Sequence, residues 1–481
     1  MADLHELTAV QQREAIRRGE LSSVELVTHY LGRIESHGGA VGAFVEVTAE
    51  RALAAAAAID RAPAMPAETT RPILGLPFAD KDLVARAGVP TRYGSRLMAD
   101  HVPEVSDPLV EALDAAGGVS LGKTATPEFG TPAYTEPLAW PPARTPWDLD
   151  RGAGGSSGGA AAAVAAGLLP FAPGSDGGGS IRIPAAACGL VGLKPSRGRV
   201  PSAGGFDFPG GLVTAGPLAR NVADAALLLD AMAPAGAQPV WATAPPGDGP
   251  YLAAASRGEP AAPLRIGVTT VSPWSSWYEI TVSPEARAAL DAAIVELGGL
   301  GHRVEELDWA PDAAYPDHFR VIWQAGPASL PVPDEAIGLL EPLTAWLRAE
   351  GRKRHAGELA TAIGWLAGFE RDTITAFSGY DAVLTPTLAV PPPLLGHYDA
   401  EDGERNFEQQ CQVTPWTSFV NVAGLPALQL PVHWTEPSSE RAALPMGVQL
   451  IGRPGAESTL LGLGAQLEAV LRWDLRRPPV W

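Results

Sequence analysis

Between residues 10 and 36 apolar positions recur every three or four residues, the spacing of a helix with one buried face. Within it, Leu21-Ser22-Ser23-Val24-Glu25-Leu26 reads as a helix start, with Ser22 or Ser23 as cap and Val27, Tyr30, Leu31 and Ile34 on the apolar side. An alanine-rich helix is expected over 52–58 and a loop over 63–70. Residues 73–84 read as a strand that Pro77 helps to position. In a regular register Lys81 faces one side of that strand, and Asp80 and Asp82 face the other. The pattern then predicts a helix over 108–116, a strand over 119–122 and a helix over 222–229. The Pro-, Ala- and Gly-rich residues 233–262 read as a surface connection. A second run follows, with a strand over 264–269, a helix over 284–297 and a strand over 302–307. Residues 309–350, rich in proline and tryptophan, give no consistent period. Strands over 382–385 and 427–431 and a helix from 459 close the chain. Strands alternating with helices predict an α/β fold with helices on both faces of the sheet. No internal repeat and no long linker is visible. The expected organisation is therefore one domain over 1–481, with a catalytic core at about 70–235 and a variable region at about 262–410.

The chain has 481 residues, and 46% hydrophobic against 19% charged residues is a composition able to bury a large core. No apolar run is long enough to span a bilayer, and the N-terminus lacks the basic-then-apolar pattern of a signal peptide. Two cysteines, Cys188 and Cys411, cannot build a disulfide framework, so the reducing cytoplasm is the expected compartment. A formal net charge of −19 repels phosphate backbones and anionic membranes, and no basic run compensates. Neither nucleic acid nor membrane is expected as a partner; a homodimer is left open. Of 35 basic residues only Lys81, Lys123, Lys194 and Lys353 are lysines. Arginine stays protonated in proteins, so a basic amine, if the chemistry needs one, must come from these four.

Glycine and serine are densest in Gly152-Ala153-Gly154-Gly155-Ser156-Ser157-Gly158-Gly159 and in Gly174-Ser175-Asp176-Gly177-Gly178-Gly179-Ser180-Ile181-Arg182. Three glycines before a serine let backbone N–H groups converge beside a hydroxyl, the geometry of an oxyanion hole. Either cluster alone is equally well read as a turn. Gly154-Gly155-Ser156-Ser157-Gly158 also satisfies G-x-S-x-G, but residues 145–151 make a poor preceding strand for a nucleophile elbow. No phosphate-loop or dinucleotide fingerprint fits, and no His/Cys/carboxylate cluster has metal-ligand spacing, so neither metal nor cofactor is expected.

Lys81, the glycine–serine turn around Ser156 and a second serine 24 residues further on resemble the amidase signature family. Leu121-Gly122-Lys123-Thr124-Ala125-Thr126-Pro127-Glu128-Phe129 and Asn421-Val422-Ala423-Gly424-Leu425-Pro426-Ala427 resemble two further family segments, so the likeness spans nearly the whole chain. It implies a single α/β/α domain around a large twisted mixed sheet. It also implies roles: Ser180 as nucleophile, Ser156 (after a cis peptide bond from Gly155) as proton bridge, and Lys81 as general base. The backbone N–H groups of Gly177, Gly178, Gly179 and Ser180 would form the oxyanion hole, with Ser157, Asp176 and Arg182 in support, the last two bracing the loop. A free lysine, titrating at about 10.4, is a poor base at neutral pH; burial without a carboxylate partner lowers that value by several units. Position 177 often carries threonine or isoleucine in the family; glycine keeps the N–H donor but loosens the loop or widens the pocket.

The implied substrate is a small or oligomeric amide, with esters and carbamates within the family's range. The alternative is an amidotransferase subunit working with partner proteins on aminoacyl-tRNA. Tyr134-Thr135-Glu136-Pro137-Leu138-Ala139-Trp140 and Thr145-Pro146-Trp147 resemble the family's nylon-oligomer hydrolases more. Trp274, Trp277, Tyr278, Trp309 and Trp323 are dense enough to line an apolar pocket, and equally suited to core packing.

Overall fold

A computed structural model describes residues 3–62, 71–201, 210–233, 244–245, 247, 249–258, 262–437 and 442–481. The expected loop over 63–70 and part of the connection over 233–262 lie outside the described residues. The expected helix over 10–36 is two helices, Ala9–Arg17 and Ser23–Val41, each opened by a reciprocal capping box, Thr8 with Gln11 and Ser22 with Glu25. Ser22 is thus the cap. The break falls at Gly19, whose φ of 69° suits glycine. Described residues of the expected surface connection include a short helix, Tyr251–Arg257.

Eleven strands are described: β1 Phe44–Val47, β2 Pro77–Lys81, β3 Val119–Thr124, β4 Phe171–Asp176, β5 Val191–Lys194, β6 Thr214–Ala219, β7 Arg265–Val268, β8 Arg303–Glu306, β9 Ala382–Pro386, β10 Ala427–Trp434 and β11 Pro445–Gly452. They form a three-stranded sheet, β1-β3-β2, and an eight-stranded mixed sheet ordered β4-β6-β5-β10-β11-β9-β7-β8. The lysine strand therefore sits outside the large sheet. It pairs only with β3, in parallel, with an irregularity between Phe78 and Asp80.

Period-two alternation sets the two faces of the large sheet. Leu428 and Leu430 on β10, Val448 and Leu450 on β11, and Ala382 and Leu384 on β9 enter one core, beside Leu460 and Leu467 of helix Glu457–Leu471. Ala427, Ile451 and Val383 enter a second core with Trp309, Phe377, Trp416 and Phe419. Each leucine moved from water into these layers contributes about 1.5–3 kcal/mol. Gln449 shares the second face, where its side chain meets the functional loop. Residues 309–350 hold the helices Tyr315–Ala328 and Pro342–Arg352.

Candidate active site

Lys81 ends β2 and is buried. Its Nζ donates to Ser156 Oγ at 2.8 Å and to Ser175 Oγ at 3.0 Å, which ties the small sheet to β4 of the large one. The opposed facing of its neighbours holds despite the irregular register. Asp80 pairs with Arg86 at 2.6 Å, and Asp82 accepts the Arg92 N–H at 3.1 Å. Among the described residues no carboxylate pairs with the Lys81 amine. Burial pushes it down to about 7, with the Asp176 charge opposing.

The Gly155–Ser156 peptide bond is cis. A Cβ on Gly155 would lie 2.6 Å from the Tyr134 backbone, so only glycine fits before this serine. Thr126 Oγ1 donates to the Ser156 carbonyl at 3.0 Å. Ser157 joins the two glycine–serine clusters: its N–H donates to the Ser180 carbonyl at 3.2 Å, and its Oγ accepts the Ser175 N–H at 3.3 Å.

Ser180 follows β4 and the three glycines and precedes helix Arg182–Cys188. Gly179 has a φ of 134°, and a Cβ there would lie 2.5 Å from Thr417 Oγ1. Asp176 organises the turn by accepting the N–H groups of Gly179 at 2.7 Å and Ile181 at 3.1 Å. Of the four N–H groups expected to form an oxyanion hole, one is engaged by this bond. The Gly179 N–H is committed to a carboxylate, whereas among the described residues no acceptor is assigned to the N–H groups of Gly177, Gly178 or Ser180.

Asp176 and Arg182 form a fully buried ion pair at 2.9 Å. Burial works to raise the Asp176 carboxyl, but Arg182 prevails and holds it at about 2. Arg182 also donates to Gln449 Oε1 at 2.9 Å, the Thr417 carbonyl at 3.0 Å and Asn421 Oδ1 at 2.6 Å. Asn421 Nδ2 returns a bond to the Asp176 carbonyl at 2.8 Å. A buried pair satisfied on every side holds a loop in one geometry, consistent with the bracing expected of Asp176 and Arg182.

Glycine at 177 has a local explanation: a Cβ would meet Val213 Cγ2 at 3.1 Å and the Trp323 indole at 3.9 Å. These neighbours fill the space a larger side chain would need. Lys123 and Lys194 are buried and donate to the carbonyls of Val84 and Pro195, while Lys353 is exposed beside Glu350.

A narrow cleft, with about 50 Å³ open to water-sized molecules, is lined by Gly178 and Ser180. Trp274 and Trp323 line it, as two of the five expected aromatics. The other three do not. Trp309 packs against Phe377 and Phe419 in the second core, Tyr278 stacks on Trp274, and Trp277 lies against the Arg320 guanidinium. Phe319, within the aperiodic residues 309–350, and Phe407, beyond them, line the cleft instead. A larger cavity, about 610 Å³, lies at Asp308, Asp312 and Asp372 and includes none of the clustered serines or lysines. Among the described residues no group of three His, Cys, Asp or Glu side chains could hold a metal ion, and no helix is long and apolar enough to cross a membrane.

Ser175, Thr417, Asn421 and Gln449 had no assigned role in the sequence. Asn421 lay within a quoted segment and Ser175 within the glycine–serine run, whereas Gln449 carried no signal.

A sequence model for the family described as Amidase matches residues 25–461. A glutamyl-tRNA(Gln) amidotransferase subunit of Moorella thermoacetica is 36% identical, covering 99% of each chain. Among solved structures, 6-aminohexanoate cyclic dimer hydrolase superposes with a TM-score of 0.88 at 30% identity, covering 99% of each chain. The peptide amidase of Stenotrophomonas maltophilia superposes with a TM-score of 0.78 at 26% identity, covering 98% of each.

Proposed function

We propose, starting from the fact that the chain belongs to the amidase signature family of hydrolases, that it cleaves amide bonds through Ser180, Ser156 and Lys81. The observation that carries the reading is the 2.8 Å contact between Lys81 Nζ and Ser156 Oγ, in a buried setting that brings the amine to about 7. In its neutral form the amine has a lone pair, and the same contact runs in reverse, with the Ser156 hydroxyl donating.

Ser180 Oγ attacks the amide carbonyl carbon. Its proton passes to Ser156 Oγ while the Ser156 proton passes to Lys81 Nζ. The carbonyl π pair moves onto oxygen, and the resulting oxyanion is received by the N–H groups of Gly177, Gly178 and Ser180. One such donor is worth about 10²–10³-fold in rate. The C–N bond then breaks, and the amine leaves with the proton returned from Lys81 through Ser156. Water attacks the Ser180 ester by the same relay and releases the carboxylic acid. An ester or carbamate would enter by the same first step.

The test is labelling by a fluorophosphonate and turnover of small aryl amides, in wild type beside Ser180→Ala, Ser156→Ala and Lys81→Ala. Labelling that vanishes with Ser180→Ala, and falls at least about 100-fold with Lys81→Ala, is expected. Labelling that survives Ser180→Ala but not Ser156→Ala would assign the nucleophile to Ser156. The 36% identity to an amidotransferase subunit favours a second reading. It predicts a chain inert towards both reagents alone and active only with partner subunits and an aminoacyl-tRNA.

A further inference from the structure

The cleft that opens on Ser180 is lined by aromatic rings and uncharged polar groups. Phe319 and Trp323 stack with centroids 5.4 Å apart and planes 20° apart, and Trp274 meets Phe319 edge-on at 5.4 Å and Phe407 edge-on at 5.8 Å. No charged side chain lines the cleft among the described residues. Most of its polar groups are already engaged within the protein. Gln410 accepts the Ala133 N–H at 2.8 Å and donates to Asn406 at 2.6 Å; Thr414 Oγ1 donates to the Gln410 carbonyl at 2.8 Å. Ser418 Oγ lies 3.0 Å from Trp274 Nε1 and 2.9 Å from the Tyr315 hydroxyl. A carboxylate or ammonium entering this space would lose its water and find no counter-charge, which costs several kcal/mol. A neutral group faces no such penalty, and a flat apolar one suits a narrow cleft lined by aromatic rings.

Trp323 couples this slot to the reacting loop. A Cβ on Gly178 would lie 3.4 Å from its indole, so the ring rests on the backbone beside Ser180. Trp274, Cys411 and Ser418, all buried, line the cleft together with Ser180. A buried lining at Ser180 suits the group that stays bonded to that serine through the acyl-enzyme; the amine must depart.

We infer that Trp323, with Phe319 and Phe407, determines specificity by selecting a neutral, flat, apolar acyl group such as that of an aromatic carboxamide, and by rejecting acyl groups that end in a charge. The inference rests on Ser180 being the nucleophile. It places glutamine, whose acyl chain carries both an ammonium and a carboxylate, among the rejected acyl groups.

The experiment holds the leaving group constant and varies the acyl group. The 4-nitroanilides of acetic, butyric, benzoic and succinic acids are compared by kcat/KM in wild type, Trp323→Ala and Trp323→Phe, with fluorophosphonate labelling as a separate readout. Wild type is expected to prefer the benzoyl over the succinyl anilide by about 100-fold or more. Trp323→Ala should lower the benzoyl value about tenfold while changing the acetyl value less than about threefold, and Trp323→Phe should restore most of the loss. A succinyl anilide cleaved as fast as the benzoyl one overturns the inference. So does an equal loss on acetyl and benzoyl with Trp323→Ala, which would mark a purely structural ring. Absence of turnover for all four, with Ser180 still labelled, overturns it too and leaves the nucleophile standing. Labelling that persists in Ser180→Ala overturns the reading beneath it.

Discussion

Replacing Lys81 with methionine should alter the pH dependence of stability in a direction and window that the structure fixes. In the folded protein the amine is moved from an ordinary 10.5 to about 7 by burial, a drop of about three and a half pH units. At pH 7 about half of the folded molecules then hold a neutral base, against roughly 0.03% for an unshifted lysine. The unfolded chain keeps its proton up to about 10.5, so between about 7 and 10.5 it binds one proton more than the folded chain. Stability from this group consequently rises with pH across that window, by ~1.4 kcal/mol per unit. Below about 7 the full cost, ~5 kcal/mol, is present; above 10.5 it is gone. Urea unfolding of wild type and Lys81→Met at pH 7, 8.5 and 10 should show wild type gaining on the variant as pH rises. The lost bonds to Ser156 and Ser175 offset the variant's curve without changing that slope. In parallel, the labelling rate of Ser180 in wild type should rise with pH to a plateau, with a midpoint near 7. Lys194, also lowered to about 7 by burial, provides a control: Lys194→Met should remove a similar stability slope and leave the labelling midpoint in place. Parallel unfolding curves for wild type and Lys81→Met, or a labelling midpoint near 10, would refute the reasoning.

Arg182→Met leaves Asp176 buried without its partner and should cost about 3–5 kcal/mol in denaturant unfolding; a loss under 1 would contradict the bracing role. Gly179→Ala must place a methyl 2.5 Å from Thr417 Oγ1 at a φ of 134°, and should cost about 1–3 kcal/mol with loss of Ser180 labelling. Trp309→Ala opens the second core beside Phe377 and Phe419 and should cost about 3–5 kcal/mol, read by thermal unfolding, without reordering acyl preference.

The surroundings of the proposed catalytic serines were legible because local backbone geometry demanded glycine beside them. Gly155 and Gly179 sit where any Cβ would collide, and that need is written into the sequence as glycine. The strand of Lys81 was legible from its apolar run, although its place in a separate small sheet was not, since pairing partners lie far along the chain. β4 was invisible: Phe171-Ala172-Pro173-Gly174-Ser175-Asp176 has no alternation and carries proline and glycine, and its ladder with β6 supplies what propensity lacks. In residues 309–350 the prolines obscured the period by starting helices rather than breaking them, at Pro316 and Pro342. The bracing atoms of Gln449 reach Arg182 across 267 residues of sequence, and no local pattern reports such a contact.

The proposed base, Lys81, ends a strand of the small sheet, and the proposed nucleophile, Ser180, follows β4 of the large one; the two sheets are joined at this point through Ser156, Ser157 and Ser175. Competence to react is thus a property of the seam. A chain in which either sheet has formed alone holds a lysine free to keep its proton, or a serine with nothing to take its own. On the proposed mechanism such a chain would be chemically silent, and reaction would require the two sheets to meet. Activity should accordingly vanish, on gentle denaturation, ahead of the loss of helix and strand, as a latch opens before a wall falls.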